Sequence, residues 1–408
     1  MSAPRAGTAV PSPATTTAAP EALFAAEPLL AEARRRIGRD DFGDPFFRTG
    51  LDVLLRALRE EAALHANGLA IVREDLIRLL ANRLELTAVF RAHPEITARR
   101  VERPLFIVGL PRTGSSILHE LLAQDPENRT PMTWEVKFPW PPPEAASADD
   151  DPRIAAMDAE LAAMDGAIPE FKKMHPQGAR LPQECLNLTT HEFASIFWSV
   201  SHDVPSYQAW LDGVDHRPVY AFHHRMLRYF HWHRPPERWV LKSSSHLWSL
   251  DTLLDEYPDA CIVQTHRDPL KVLASFTSLV KTLRQLYSDR FDALRIAREQ
   301  AAFLEGGLAR AVAFRDSGRL GPAQVVDLHF RDFIADPIGR IAALYAHFGR
   351  HLSTEAEARM RRFLAENPGD QYGPHRYRFS ETGLDPATER RRFEAYQTRF
   401  GIASEAVD

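Results

Sequence analysis

Residues 105–122 read LFIVGLPRTGSSILHELL, and this stretch decides the fold. It opens with the apolar run LFIVG, which is typical of a strand buried on both faces of a parallel sheet. A short loop bounded by Gly109 and Gly114 follows, and the chain then becomes apolar again. The stretch therefore predicts a strand, a tight loop and a helix, the unit from which parallel α/β sheets are built.

Three further strand-to-helix units follow along the chain. Short apolar runs at 239–241, 260–265 and 325–326 each precede a segment whose apolar residues recur at helical spacing. Alternating strands and helices predict a central parallel sheet flanked by helices. In such folds the functional groups lie in the loops at the carboxyl ends of the strands, so we expect the chemistry there.

The rest of the chain divides into regions of different composition. Residues 1–27 alternate Ala, Thr, Ser and Pro and predict a flexible tail. Residues 28–100 carry Leu at helical spacing and predict a helical lead-in to a domain that spans 101–408. Residues 138–236 form an insertion dense in aromatic residues and histidines. This insertion is either a cap that shapes an acceptor pocket or a helical subdomain whose aromatic residues form its core.

Composition excludes several classes of protein. The chain has 408 residues, 44% hydrophobic and 26% charged, as in ordinary soluble globular proteins. Its net charge of −5 provides no basic field for nucleic acid, and its apolar runs are too short to span a membrane. Two cysteines, Cys185 and Cys261, make neither a disulfide framework nor a four-thiolate zinc site. We expect a cytoplasmic protein without metal, nucleic-acid partner or membrane span, and a homodimer is compatible with the sequence.

The loop after the first predicted strand is suited to an anion. A nucleotide-binding P-loop has Lys and then Ser or Thr after its second glycine, whereas Ser115 and Ser116 follow Gly114 here. The lysine that reaches the β- and γ-phosphates of a nucleoside triphosphate is therefore missing. The donors that remain are the backbone amides at the helix start, the guanidinium of Arg112, and the hydroxyls of Thr113, Ser115 and Ser116. They predict a site for one phosphate-like group.

This loop resembles the 5′-phosphosulfate loop of sulfotransferases that use 3′-phosphoadenosine 5′-phosphosulfate (PAPS). A second segment, HRDPLKVLAS at 266–275, is similar to the 3′-phosphate site of that family through Arg267 and Ser275. The likeness extends from about Asp40 to Phe400, through stretches such as TWEVKFPWPPP and PQECLN. It points to the large bacterial sulfotransferase group, which is related to the tyrosylprotein sulfotransferases.

The resemblance implies a P-loop-like sulfotransferase fold and a specific reaction. The chain would move a sulfonyl group from PAPS to a hydroxyl or amine of a small apolar or aromatic acceptor and release adenosine 3′,5′-bisphosphate. Two departures from the family pattern affect one wall of the site, Ser244 in place of a proline and Phe330 in place of a tyrosine. Neither departure removes a charge.

The transfer needs a base that takes the proton of the acceptor. The resemblance to tyrosylprotein sulfotransferases implies Glu135, which follows the loop by about twenty residues in the TWE segment. His246, beside a predicted strand end, and His119, in the predicted helix, are competing bases.

The transfer also needs cations for the charge on the transferring group. The resemblance implies that Lys242, at the end of the second strand, contacts the bridging oxygen and the sulfonate. Arg112 would assist both binding and transfer. His375 and Arg376 would form a carboxyl-terminal flap over the nucleotide.

Two other functions stay open at this point. The first is a kinase or another nucleoside-triphosphate enzyme, since Asp327 ends an apolar strand and could imitate a magnesium ligand. The second is a nucleotide-binding interaction protein without turnover, in which the helical lead-in is a docking surface. The presence of Glu135 and Lys242 beside both anion sites favours the enzyme.

Overall fold

The structure is a computed structural model that describes residues 23–235, 237–369 and 371–408. A five-stranded sheet lies at its centre in the order β2-β3-β1-β4-β5, and all of its pairings are parallel. The strands are β1 (Leu105–Gly109), β2 (Asn128–Arg129), β3 (Arg238–Lys242), β4 (Cys261–His266) and β5 (Val325–His329). The predicted parallel α/β fold is confirmed. The sequence pattern missed β2, because a strand of two residues has no periodicity to detect.

The register of the sheet brings three loops to one edge. Ile107 of β1 lies opposite Lys242 of β3 and Val263 of β4, and Gly109 lies opposite Thr265. The carboxyl ends of β1, β3 and β4 are therefore level. The loops that follow them meet above the sheet, as expected for a binding site in this class of fold.

Within the described residues, three α-helices precede the sheet, namely α1 (Ala26–Ile37), α2 (Phe46–Glu60) and α3 (Ala66–Ala92). They lie in the region for which the sequence predicts a helical lead-in. Residues 1–22 of the predicted tail lie outside the described residues. Its last residues do not behave as a tail, because Phe24 is buried in the lead-in core and its carbonyl accepts a hydrogen bond from Arg59 at 2.7 Å. Burial of one aromatic ring is worth about 2 kcal/mol, enough to fix this stretch of chain.

The remaining helices surround the sheet and fill the insertion. In chain order they are α4 (Ser115–Leu122), α5 (Thr133–Lys137), α6 (Pro152–Ala167), α7 (Phe171–Met174), α8 (Cys185–Thr189), α9 (Ile196–Ser201), α10 (Pro205–Gly213), α11 (Arg217–His233), α12 (Leu250–Glu256), α13 (Pro269–Gln285), α14 (Ala293–Asp316), α15 (Phe330–Ala335), α16 (Pro337–His347), α17 (Thr354–Glu366) and α18 (Pro386–Phe400). Among the described residues, no helix combines the length and the apolar character needed to cross a bilayer.

Helices cover both faces of the sheet. Leu105 and Ile107 of β1 point to one face and pack with α4 and α16, while Phe106 and Val108 point to the other and pack with α11 to α14. Successive side chains of a strand alternate between the two faces, so burial of both faces explains why LFIVG is apolar without interruption.

The lead-in and the insertion share one core. Phe193 and Trp198 of the insertion pack among the leucines of α2 and α3, and Tyr207 joins them. The buried Arg83 of α3 pairs with Glu192 at 2.6 Å. This part of the insertion therefore fits the interpretation as a helical core, although another part reaches the site described below.

Candidate active site

The loop between β1 and α4 is held in a specific backbone conformation. Gly109 has φ +139°, and a Cβ atom there would lie 2.4 Å from Thr265 Oγ1, so only glycine permits β1 and β4 to approach this closely. Arg112, with φ 66°, lies in the left-handed region, which costs a non-glycine residue about 1 kcal/mol. Thr113 is buried and its hydroxyl bonds Leu110 O at 2.7 Å and Thr265 Oγ1 at 2.6 Å. In this structure the Thr113 hydroxyl closes the loop, and its predicted contact with a ligand stays a prediction.

Arg112 joins the loop to two other elements. Its Nε donates to Ser275 Oγ of α13 at 3.0 Å, and its Nη1 donates to Met174 O of α7 at 2.5 Å. Burial lowers the pKa of Arg112, and the neighbouring Arg267 lowers it further against an opposing effect of Tyr377. A guanidinium remains charged despite such a shift. The start of α4 therefore lies beside a partly desolvated positive charge, which favours an anion.

Arg267 lies next to this loop at the end of β4. Its Nη1 donates to Arg112 O at 3.3 Å, and its guanidinium lies over the ring of Phe330 with 4.0 Å to the ring centroid. Its Nε and Nη2 pair with the carboxylate of Glu405 at 3.0 and 3.2 Å. These contacts join the two predicted anion sites into one continuous cluster. One site consists of Arg112 and the serines of α4, and the other consists of Arg267 and Ser275.

A cavity lies beside the loop, where β3 ends. We call it the strand-end cavity, and its polar walls include Ser116, His119, Glu120, His175, Glu184 and Lys242. The ammonium of Lys242 pairs with the carboxylate of Glu184 and donates to Ser116 Oγ at 3.2 Å. Lys242 is 5% exposed, so its charge is largely shielded from water. A cation, a carboxylate and the hydroxyl of the anion loop converge here.

The titratable groups of the strand-end cavity are shifted by burial and by Lys242. Burial alone would raise the pKa of Glu184, but Lys242 and His175 together bring it below its ordinary value. Burial raises the pKa of Glu120 to about 7. Burial lowers the pKa of His175 to about 4, against the effect of Glu184. At neutral pH Glu184 is therefore ionised and His175 is neutral.

Glu135 does not line this cavity. It is 0% exposed, and its Oε1 atom lies 2.8 Å from Arg129 and 3.2 Å from Arg234. Its Oε2 accepts the backbone amide of Met132 at 2.9 Å, which satisfies a free amide at the start of α5. Both oxygens of this carboxylate are engaged by groups of the protein, and the side chain lies outside the strand-end cavity. This geometry does not favour Glu135 as the base, and its predicted role stays a prediction.

The competing histidines are also buried. His119 donates from Nε2 to Val240 O at 3.3 Å, and burial lowers its pKa to about 3. His246 is hydrogen-bonded through Nδ1 to the hydroxyl of Tyr220 at 2.8 Å, and burial lowers its pKa to about 3 as well. His246 lies on a different cavity from Lys242, so the structure does not bring it to the predicted catalytic position.

The predicted flap residues are placed differently from each other. His375 bonds Ser278 Oγ at 3.1 Å through Nε2, one turn beyond Ser275 on α13. Burial lowers the pKa of His375 to about 4, and Arg112 lowers it further. Arg376 is exposed. His375 therefore lies near the anion cluster, whereas the Arg376 side chain is at the surface.

Glu184 is the functional candidate that sequence reasoning missed. It belongs to the PQECLN stretch, and an isolated bridge between Met132 and Pro182 places that stretch beside the start of α5. The TWE and PQE segments are therefore neighbours. The side chain of Glu135 points into the protein interior, whereas that of Glu184 points into the strand-end cavity. The only sequence signal for Glu184 was that PQECLN belongs to the stretches that resemble the family.

A second cavity lies at the other end of α8. We call it the aromatic cavity, and its walls include Ile196, Val219, His246, Trp248 and Phe303. The short helix α8 begins directly after Glu184 of the strand-end cavity and ends at Thr189, which lines the aromatic cavity. Five residues of α-helix span about 8 Å, so a short stretch of chain links the two cavities.

Asp327, the residue that could imitate a magnesium ligand, is engaged elsewhere. Its carboxylate accepts from Arg315 at 2.7 and 2.8 Å and is paired with His266 at 2.8 Å. It lies on β5, and it does not line the strand-end cavity. This pairing removes the observation on which the nucleoside-triphosphate alternative was based.

Comparisons with known proteins agree on one family. The model of the "Sulfotransferase family" matches residues 104–354. The crystal structure of sulfotransferase STF1 from Mycobacterium tuberculosis H37Rv is 33% identical, with a TM-score of 0.80, over 91% of this chain and 98% of that chain. The structure of STF9 from Mycobacterium avium is 27% identical, with a TM-score of 0.86, over 94% and 98%.

A curated relative carries a more specific name. The chain is 26% identical over 280 residues to the omega-hydroxy-beta-dihydromenaquinone-9 sulfotransferase Stf3 of Mycobacterium bovis, which covers 65% of this chain and 67% of that protein.

Proposed function

The chain belongs to the sulfotransferase family and is a sulfotransferase, and from this premise we propose that PAPS is its donor and that its acceptor is a small apolar or aromatic alcohol or amine. The contact that carries this proposal is that of Lys242 with both Glu184 and Ser116. It places a cation between the anion loop and a carboxylate at the edge of one cavity.

The donor set fits a nucleotide with anionic groups at both ends. Arg112 and the amides at the start of α4 would hold the 5′ phosphosulfate, and Arg267 with Ser275 would hold the 3′-phosphate. The loop lacks the lysine of a nucleoside-triphosphate site, which favours this nucleotide over ATP. When bound, PAPS supplies the sulfonyl group and a phosphate leaving group.

Lys242 would neutralise the charge that develops during transfer. Its ammonium is already directed toward Ser116, one residue past the start of α4, where a transferring group would lie. Because the site is shielded from water, this charge acts more strongly than it would in solution.

Glu184 would accept the proton of the acceptor. In the structure Lys242 holds it in an ion pair that lowers its pKa. Attraction of Lys242 toward an anion on the loop would weaken that pair and raise the basicity of Glu184 at the moment when a base is needed. The neutral His175, whose Nε2 lies 3.9 Å from Glu184 Oε1, would help to orient it.

The aromatic cavity would hold the apolar body of the acceptor. Its lining includes the apolar side chains of Ile196, Val219 and Phe303, and α8 links it to Glu184. Both cavities draw walls from the insertion, which supports the expectation that the insertion determines the choice of acceptor. Trp198 and Trp210 pack in the core shared with the lead-in, so they are not the residues that would do this.

Cytoplasmic location is supported by two buried free thiols, Cys185 and Cys261, as expected in a reducing compartment. The homodimer and the lack of a nucleic-acid partner stay predictions.

A transfer assay tests the proposed function. Radiolabelled PAPS is offered with phenols, steroids, lipid alcohols, sugars and tyrosyl peptides, in the presence of a chelator. We expect label in an apolar or aromatic acceptor and a loss of transfer in Lys242→Ala. Failure of every acceptor, together with Mg²⁺-dependent binding of ATP that is tighter than that of adenosine 3′,5′-bisphosphate, would contradict the proposal.

A further inference from the structure

The guanidinium of Arg267 is fully engaged by groups of the protein. Its Nε and Nη2 form a fork to the carboxylate of Glu405 at 3.0 and 3.2 Å, and Nη1 donates to Arg112 O at 3.3 Å. Its flat face lies over Phe330. A phosphate group uses the same fork of a guanidinium as a carboxylate does. A phosphate and Glu405 cannot both occupy that edge of Arg267.

The backbone that carries Glu405 is anchored on both sides. The amide of Glu405 donates to Asp268 Oδ2 at 2.6 Å, and its carbonyl accepts from Arg390 at 3.0 Å. Ile402 is buried and Val407 packs against the main core. The side chain of Glu405 is 24% exposed. The carboxylate can therefore swing toward solvent while the backbone stays in place.

The local charges show what Glu405 does to an incoming anion. Arg390 forms two bonds with Asp268, at 2.5 and 2.7 Å, so these charges offset each other. Of the two neighbouring arginines Arg112 and Arg267, Glu405 offsets the charge of Arg267. A phosphate carries nearly two negative charges near neutral pH. Because Glu405 offsets one arginine, an incoming phosphate is attracted by only half of the positive charge that the two arginines would otherwise provide.

We propose that Glu405 competes with the 3′-phosphate of the nucleotide for Arg267 and thereby weakens the binding of donor and product. This inference rests on the proposed function, because it needs a 3′-phosphorylated nucleotide at Arg267. Return of the Glu405 carboxylate to Arg267 would assist release of adenosine 3′,5′-bisphosphate. Product release limits the turnover of many enzymes, so an internal competitor at this position raises the rate at which the site is cleared.

Calorimetry on the full chain tests the competition. The variant Glu405→Gln keeps the shape of the side chain and its backbone contacts but loses its charge. We expect adenosine 3′,5′-bisphosphate to bind about tenfold more tightly to this variant, because a charge-assisted pair no longer has to be broken. Binding of adenosine 5′-monophosphate, which lacks the 3′-phosphate, should stay within about twofold of the wild type, since its phosphate lies at the start of α4.

A matched control separates the local effect from net charge. Glu394→Gln removes the same charge from an exposed position of α18, and we expect it to bind both nucleotides as the wild type does. Unchanged bisphosphate binding in Glu405→Gln would overturn the inference. Weaker binding would also overturn it and would make Glu405 a residue that positions Arg267. If neither the wild type nor the variant bound the bisphosphate, the proposed function would fail as well, whereas a failure of the inference alone leaves wild-type binding intact.

Discussion

Arg112 donates a hydrogen bond from Nε to the hydroxyl of Ser275 at 3.0 Å, and this contact links two segments that lie 163 residues apart in the chain. One segment is the loop after β1 and the other is the first half of α13. Each was predicted separately as an anion site. The bond makes them two ends of one surface, so a single ligand with two anionic groups can contact both.

Arg112→Ala should weaken the binding of adenosine 3′,5′-bisphosphate by about 10-fold to 100-fold, because it removes a charged donor from a partly desolvated site. Ser275→Ala removes a neutral partner and should cost less than tenfold. Calorimetry measures both affinities, and circular dichroism verifies that each variant is folded. Equal losses in the two variants would mean that Ser275, and not the charge of Arg112, contributes most of the affinity for the bisphosphate.

Glu184→Gln should reduce kcat by about 100-fold to 10,000-fold with a weakly acidic acceptor, which is the usual cost of losing a positioned base. Its defect should shrink with an acidic phenol that is already ionised, since no proton has to be removed. Glu120→Gln changes another carboxyl group on the same cavity and serves as the matched control, with a defect below tenfold. Full activity of Glu184→Gln on a non-ionised alcohol would transfer the role of base to His175.

Glu135→Gln should lower the free energy of unfolding by about 3 kcal/mol, because it leaves the buried Arg129 without a full counter-charge. The kcat of the folded variant should stay within about threefold of the wild type, since Glu135 does not touch the strand-end cavity. Urea unfolding and steady-state kinetics measure the two quantities. A large loss of kcat at unchanged stability would restore Glu135 as the base.

Acid should destabilise the protein below pH 6.5. Burial lowers the pKa of His119 and His246 to about 3 and that of His175 to about 4. The unfolded chain binds protons at these histidines below about pH 6.5, whereas the folded chain does not, so the stability is complete above that pH and falls as the pH is lowered toward 3. Each histidine contributes a slope of about 1.4 kcal/mol per pH unit.

Urea unfolding at a series of pH values measures that slope. His246→Gln removes one of the buried titrating groups, so the stability of this variant should depend less steeply on pH than that of the wild type, whatever its absolute stability. An identical slope in the two proteins would show that His246 is protonated as readily in the folded chain as in the unfolded one.

Phe303→Ala should change the KM for an apolar acceptor by about tenfold, because it alters the wall of the aromatic cavity and removes apolar contact area. The affinity for adenosine 3′,5′-bisphosphate should not change. Trp198→Phe, in the core shared with the lead-in, is the control and should leave the acceptor KM unaltered. An effect of Phe303→Ala on nucleotide binding alone would assign this cavity to the donor.

Local sequence was sufficient for four of the five strands and for the loop after β1. The run LFIVG is apolar throughout because both faces of β1 are covered, and the loop donors follow it without a break in the chain. Glu184 could not be predicted in the same way, because it reaches the cavity only after the insertion folds back and Pro182 pairs with Met132. The burial of Glu135 could not be predicted for a related reason. Its spacing from the loop suggested a base, but its partner Arg234 lies 99 residues away and no pattern near Glu135 indicates that pair.

The core shared by the lead-in and the insertion has a consequence for synthesis of the chain. Arg83 and its partner Glu192 are separated by 109 residues, and Phe193 and Trp198 cover leucines of α2 and α3. During translation the lead-in helices leave the ribosome well before the residues that cover them. Their apolar faces are exposed during that interval, when exposed apolar surface favours aggregation of a nascent chain.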